Sequence, residues 1–390
     1  MAGYLFSLDS QQSLLESIRK GIYSTRLSKP QNVWRLPHEG TFADYSSMRE
    51  GDNIYFFIDR KIYGIGTLIN IGADCKFLNY PDSNLPTIQN YNHIRNSMLF
   101  DSGNEESLDF RFICTFIPSP LFFRQGVDMD EILASSPASF IILRAFWKLS
   151  FIKFSDEENQ AFKNIILRRN IKALENQNAE NIFQTNHVDF HENIRLRILN
   201  NDLYRLSITP LLNTIANPDL SLRHEMAIEA AVIHQINGRH EAAIEIFQSW
   251  DYLSHQVIAS PFKPIDYMDK MDVFGYRFIA NQRPTISNFL VIEIKRGTVD
   301  VQDVLQLMKY VDWIKNEYAF GDYNMINAYL VGYNFTDNAV ATFREKIERK
   351  FIYGVRPSIA AVWNKVKLVT YRFNPANNLL DFQIIADANE

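Results

Sequence analysis

An α/β chain, α+β overall, is what the 390 residues predict. Its expected parts are a strand-rich N-terminal small β-barrel over 1–155, a helical middle over 156–215 and a C-terminal α-β-β-α-β core over 216–390. Three observations carry this expectation. Up to about Phe154 the chain runs in short apolar stretches broken by Gly, Asp and Asn turn signals. From Ser155 to about Ile215 glycine is absent, and Ile and Leu recur at helical spacing among Glu, Asn, Gln, Arg and Lys. Beyond Pro218 the apolar pattern switches between the helical and the strand period in the order helix, strand, strand, helix, strand.

Composition sets limits. Hydrophobic residues make up 46% and charged ones 22%, so the chain buries an ordinary globular core and is not a disordered one. The net charge of −5 does not advertise nucleic-acid binding, yet a local basic stripe remains compatible with it. Arg168, Arg169, Lys172, Arg195, Arg197 and Arg205 are the candidates for such a stripe. Cys75 and Cys114 stand far apart, read as reduced core thiols and offer no zinc pair. The opening MAGYLFSLDS is too short and too polar for a signal peptide, and no run of about 20 apolar residues occurs. A cytoplasmic protein with no membrane partner is expected.

In the first part, Ser10 is placed to cap a helix over Gln11–Lys20 that stops before Gly21. Asn53–Ile58 and Ile62–Ile71 read as strands around the turn Asp59-Arg60-Lys61. Tyr23-Ser24-Thr25 follows the helix, and Ile62-Tyr63-Gly64-Ile65-Gly66 is a glycine-bearing strand; Ser139 to Ile152 is available to close a barrel. This arrangement resembles the PUA-like group, which includes the YTH and EVE domains. The resemblance implies a nucleic-acid reader that holds one flipped-out base, often a methylated one, in an aromatic pocket. It would make Tyr23, Trp34 and Trp147 candidate walls, with Ser24 and Thr25 as polar contacts.

In the middle, helices are expected around Phe162–Ile171, over Ile182–Phe190 and over Ile194–Leu206. Asp156-Glu157-Glu158 suits the first turn of one of them. His187 and His191 lie one helical turn apart, a spacing that serves a metal only when further ligands converge.

The last part is organised around Asp272 to Tyr310. DVFGYRF, a turn at Asn281–Pro284 and NFLVIEIK read as a β-hairpin. Phe289–Ile292 is apolar throughout, as a strand buried on both faces must be. Glu293 and Lys295 then share one face by strand periodicity, and Asp272 on the partner strand reaches the same place. A helix carrying Gln306 and Tyr310 one turn apart follows, then a buried strand over Met325–Tyr333, a helix over Thr336–Lys350 and closing strands at Val366–Tyr371 and Leu380–Ile385. Upstream, a helix from about Leu220 to Ile236 has Glu229 in the middle of an apolar face, with Glu225 one turn earlier. His240–Trp250 reads as a second helix, followed by a connecting segment.

Two carboxylates and a lysine at this spacing resemble the PD-(D/E)xK nuclease superfamily of restriction, repair and RecB-like enzymes. Asp272 is similar to its metal-binding Asp, Glu293-Ile294-Lys295 to its ExK, and Gln306 to Tyr310 to the QxxxY extension of RecB-type members. Met271 stands where the family has Pro. The resemblance implies Mg²⁺, with Mn²⁺ as a substitute, held by Asp272, Glu293 and the Ile294 carbonyl. It assigns Lys295 to the attacking water, Glu229 to support, and Gln306 and Tyr310 to Lys295 or a DNA phosphate. A reader joined to such a core is similar to modification-dependent restriction enzymes and to Shedu-type anti-phage nucleases. DNA, including modified DNA, and a second copy of the chain are the expected partners. A non-catalytic nucleic-acid-binding protein on the same scaffold and an RNA-directed reader are the alternatives.

Overall fold

The computed structural model describes all residues except 143–150, 200–201, 261–268, 355 and 388–390. The described chain is a mixed α+β protein in two compact units, Met1–Ser207 and Ile208–Glu390.

In the first unit, β1 (Gly3–Ser7), α1 (Gln11–Lys20), β2 (Ile22–Arg26), α2 (Leu36–Ser46), β3 (Asn53–Ile58), β4 (Lys61–Leu68) and β5 (Lys76–Leu78) precede α3 (Tyr91–Ile94) and β6 (Phe110–Pro118). They are followed by β7 (Val127–Asp128), α4 (Met129–Ser135), β8 (Phe151–Phe154), α5 (Asp156–Arg169), α6 (Ile171–Glu175) and α7 (His187–Ile198). Ser10 caps α1 by accepting from the Ser13 amide, and Gly21 ends it in the left-handed region at φ 64°, as the sequence predicts. The main sheet runs β2-β6-β4-β3-β1-β8, with β1 and β3 parallel. Strands β1 and β2 are not neighbours in that order, yet Phe6 and Tyr23 stack with ring centroids 4.0 Å apart. The sheet therefore curls until its inner faces meet around an aromatic core.

The middle segment departs from expectation. It does not stand apart as a helical linker: Phe162, Ile165, Ile166, Ala173 and Ile182 belong to the same buried cluster as Leu5, Tyr55 and Phe154. An apolar helix face needs a surface to cover it, and the outer side of the N-terminal sheet supplies one. Ile182, expected in a helix, instead bridges Phe123 as an extended residue. His191 is buried, with Nε2 donating to the Gly21 carbonyl at 2.8 Å, while His187 pairs with Thr185. His191 thereby braces the end of α1.

The second unit contains α8 (Thr209–Ile215), α9 (Glu225–Asn237), α10 (Glu241–Phe247), β9 (Tyr252–Ile258), β10 (Lys270–Phe278), β11 (Ile286–Ile294), β12 (Thr298–Val299) and α11 (Val301–Glu317). It continues with β13 (Ile326–Gly332), β14 (Asn334–Phe335), α12 (Asp337–Lys346), β15 (Arg349–Tyr353), β16 (Ile359–Trp363), β17 (Val366–Asn374) and β18 (Leu379–Asp387). Its six-stranded sheet has the order β18-β17-β13-β11-β10-β9. The apolar run predicted to be central is central: β11 lies between antiparallel β10 and parallel β13, and Phe289 to Ile292 are buried. The parallel connection needs a crossover, and α11 provides it with Asp300 and Asp303 as a capping box.

Three boundaries differ from the sequence reading. Helix α9 begins at Glu225 rather than near Leu220, because Leu220 sits at φ 67° and Asp219 ties Ser221 into a turn. The segment after α10 contains β9, a third strand ahead of the hairpin strand β11. Helix α12 ends at Lys346, and β15 and β16 pair as a separate two-stranded ribbon with Phe351 and Trp363 packed on Tyr323.

Candidate active site

The β10–β11 ladder pairs Val273 with Ile292 and Phe274 with Val291, so the same register places Asp272 across from Glu293. The β9–β10 ladder pairs Met271 with Val257 and Val273 with His255, which places Gln256 across from Asp272. One cross-strand row therefore reads Gln256, Asp272, Glu293. Helix α9 packs on β9, β10 and β11 and brings Glu229 to this row.

Like charges set opposite one another on a sheet repel, so each carboxylate must find a donor. Asp272 Oδ2 accepts from the Ile294 amide at 2.7 Å. Gln256 Nε2 donates to Asp272 Oδ1 at 3.3 Å and to both Glu229 oxygens at 3.0 Å. Glu293 is 1% exposed, and its Oε1 accepts from Lys295 Nζ at 2.6 Å. Its Oε2 is buried with no hydrogen-bond partner.

Electrostatics follow from burial. Desolvation, then the charges of Glu229 and Glu293, hold the Asp272 carboxyl well above the usual carboxylate range. Desolvation also pushes Glu293 up to about 7, outweighing the Lys295 ammonium beside it. For Lys295 burial works against the charge, but Glu293 overcomes it and keeps the ammonium protonated above its ordinary range. Helix α11 closes the other side of the lysine. Lys295 Nζ donates to Gln306 Oε1 at 3.5 Å, Gln306 Nε2 donates to the Tyr310 hydroxyl at 2.8 Å, and Asp303 lies 3.8 Å from Lys295. Tyr310 is itself 1% exposed, and burial followed by the Glu293 charge keeps its hydroxyl protonated.

The structure thus brings together Asp272, Glu293, Lys295, Glu229, Gln306 and Tyr310, with Ile294 contributing its amide. Glu225 is turned elsewhere and accepts from the Arg296 amide. Gln256 is the member that sequence reasoning missed. Ser254-His255-Gln256 breaks the apolar pattern of β9, and only the flanking Tyr252, Leu253, Val257 and Ile258 mark a strand.

The residues fit a hard divalent cation. Asp272 Oδ1 holds only a long bond to an amide, and Glu293 Oε2 is an orphaned buried anion oxygen. Among the described residues no three His, Cys, Asp or Glu side chains converge to grip an ion by themselves. Two carboxylates completed by water are a Mg²⁺-type donor set, since this ion keeps several waters.

The N-terminal candidates separate. Tyr23, Ser24 and Thr25 line a cleft of about 430 Å³ together with Ser10, Arg26 and Phe100. Tyr23 is nevertheless 2% exposed, and Ser24 Oγ donates to the Phe112 carbonyl at 2.6 Å, so both are largely committed to the core. Trp34 is not in that cleft: it is 1% exposed and packed against His38 and Arg111, a core residue rather than a pocket wall. Trp147 lies outside the described residues. The basic candidates are in part paired, Arg169 with Glu131, Arg195 with Glu192 and Arg197 with the Met98 carbonyl. No helix among the described residues is long and apolar enough to cross a membrane.

No family model and no curated protein matches the chain. Among solved structures it is similar in part to a repair endonuclease from Pyrococcus abyssi, at 27% identity over 24% of this chain and 36% of that one, with a TM-score of 0.16. An EndoMS complex with double-stranded DNA is similar at 21% identity over 27% of this chain and 40% of that one, with a TM-score of 0.18. A Pseudomonas putida protein is similar at 14% identity over 43% of this chain and 97% of that one, with a TM-score of 0.26. The chain spans about two fifths or less of the length of the first two.

Proposed function

We propose that the second unit is a metal-dependent endonuclease that hydrolyses DNA phosphodiester bonds. The observation that carries this reading is the buried row of Asp272 and Glu293, with an orphaned oxygen on Glu293 and Lys295 held beside it. Asp272 and Glu293, with the Ile294 carbonyl, would hold Mg²⁺ or Mn²⁺. Such an ion, when bound, polarises the phosphoryl group and lowers the pKa of water.

The chain's own residues do the rest. Lys295 is the ammonium held against Glu293 in the row; it orients the attacking water and offsets charge growing on the phosphoryl oxygens. Gln306 fixes the lysine and is itself fixed by the buried Tyr310 hydroxyl. Asp272 is pinned by the Ile294 amide on Oδ2 and by Gln256 on Oδ1, so its carboxyl is held in one orientation rather than a solvent-averaged range of directions. Glu229 supports from α9.

In this reading the first unit recognises DNA, including modified DNA, through the cleft at Tyr23 to Arg26. The chain works as a homodimer or higher oligomer in restriction or anti-phage defence. The test is cleavage of unmodified plasmid, methylated plasmid and phage DNA, each with Mg²⁺ and with EDTA. Wild type should cut at least one in Mg²⁺ only, and the Glu293→Ala/Lys295→Ala double variant none. Silence of a folded wild type on every substrate, together with no response to Mn²⁺ in melting, would leave the non-catalytic binding scaffold in its place.

A further inference from the structure

Gln256 occupies a position that costs the fold something. It lies inside β9, yet its backbone is left-handed at φ 53°, a region that L residues avoid. Strain of this kind persists only where the surroundings hold it. Here the side chain bridges two carboxylates on different elements, Glu229 from α9 and Asp272 from β10. Both neighbours are acceptors, so the amide nitrogen must be the end that faces them, and its two hydrogens serve one carboxylate each. A lysine in that place would neutralise the site, and a carboxylate would add to its repulsion. An uncharged double donor holds the two acids together and leaves their charge available.

We infer that Gln256 is the positioning residue that keeps Glu229 beside Asp272 and thereby sets how tightly the site takes a divalent cation. This inference rests on the metal-site reading above and goes beyond it in assigning the affinity to a residue that is not itself a carboxylate. Without the bridge, Asp272 Oδ1 loses its Gln256 donor and Glu229 loses the amide it shares with Asp272, keeping only His255 Nδ1 at 3.6 Å beside its Oε2 among the contacts described. The carboxylates must then be ordered again when the cation arrives, which weakens binding.

The experiment is Mn²⁺ titration calorimetry on the full chain, with thermal melting in EDTA alongside. The variants are Gln256→Met, of similar length but without donors, and Gln256→Gly, which relieves the backbone strain and also removes the donors. Leu290→Ala serves as a structural control in the β11 core. Both Gln256 variants should bind Mn²⁺ about tenfold more weakly than wild type, whereas Leu290→Ala should lower the melting temperature and leave the affinity in place. Glycine relieves the strain, so a loss of affinity shared by Met and Gly tracks the donors and not the backbone. If wild type binds Mn²⁺ and both Gln256 variants bind equally well or better, the inference is overturned while the metal site stands. If wild type fails to bind and Asp272→Ala changes nothing, the metal site falls and the inference with it.

Discussion

The buried acid row makes a quantitative demand on pH. Glu293 has its carboxyl raised from 4.5 to about 7, first by desolvation. An acid whose folded pKa is raised binds its proton more tightly in the folded state, so stability is greatest below about 4.5 and falls until the pH passes about 7. At about 1.4 kcal/mol for each pH unit, the loss is about 3 kcal/mol. For a unit of this size that is about 6–12 °C in melting temperature. Lys295 adds no slope in this window, because it stays protonated throughout. Asp272, raised by burial and by its neighbours, steepens the same fall. The assay is calorimetry of metal-free protein at pH 5, 6, 7 and 8, with the transition of the second unit identified as the one that Leu290→Ala displaces. Glu293→Gln should flatten the curve and exceed wild type in stability at pH 8. Parallel curves for wild type and variant would refute the reasoning, since they would mean that Glu293 titrates alike in the folded and unfolded chain.

Other outcomes follow from the same geometry. Lys295→Met should reduce cleavage at least about 100-fold while Mn²⁺ binding persists, because the lysine acts on charge that develops during the reaction; equal loss of binding and cleavage would contradict that role. Gln306→Ala removes hydrogen bonds to Lys295 and Tyr310 and should cost about 1 kcal/mol in urea denaturation, with a cleavage rate down about tenfold. In the first unit, Tyr23→Ala should cost about 3–5 kcal/mol by removing the ring stacked on Phe6, as measured by unfolding. Arg26→Ala, at a half-exposed ion pair with Glu106 and Asp109, should cost less than about 1 kcal/mol yet weaken DNA binding in a salt-titrated filter assay.

What the sequence disclosed depended on how local the determining interaction is. The α1 cap at Ser10, its stop at Gly21, and the β10–β11 hairpin each rest on residues a few positions apart, and they stand where the pattern puts them. Asp272, Glu293 and Lys295 were legible for the same reason: strand alternation and one hairpin register place them together. The helices of the middle segment show their apolar faces in sequence, but the surface that covers them is assembled from strands scattered along the chain, from Leu5 on β1 and Tyr55 on β3 to Phe154 on β8. Tyr23 and Trp34 look alike in sequence to any aromatic of a binding pocket, and only their burial distinguishes core from wall. The helix expected to run to Lys350 takes in Arg349 and Lys350 of β15 because charged residues lead into Phe351-Ile352-Tyr353 without a break, and the sequence reading has no counterpart for β16. Gln256 was hidden by its polarity, since a polar residue that reaches back toward buried carboxylates interrupts the alternation that would announce its strand.

The site also explains why its surroundings are so apolar. Glu229, Asp272 and Glu293 meet with Lys295 as their nearest ammonium among the described residues, so full ionisation leaves an excess of negative charge in a poorly hydrated place. Such a cluster cannot hold itself together. The strands that carry it must therefore be held by what flanks them: Phe289 to Ile292 on β11, Val273 and Phe274 on β10, and Ile326 to Val331 on β13. Satisfying the acids with apolar or neutral residues would make a more stable sheet, and the fold forgoes that stability. What remains is a demand for positive charge concentrated on the buried Oε2 of Glu293, and under the proposed function a divalent cation meets it.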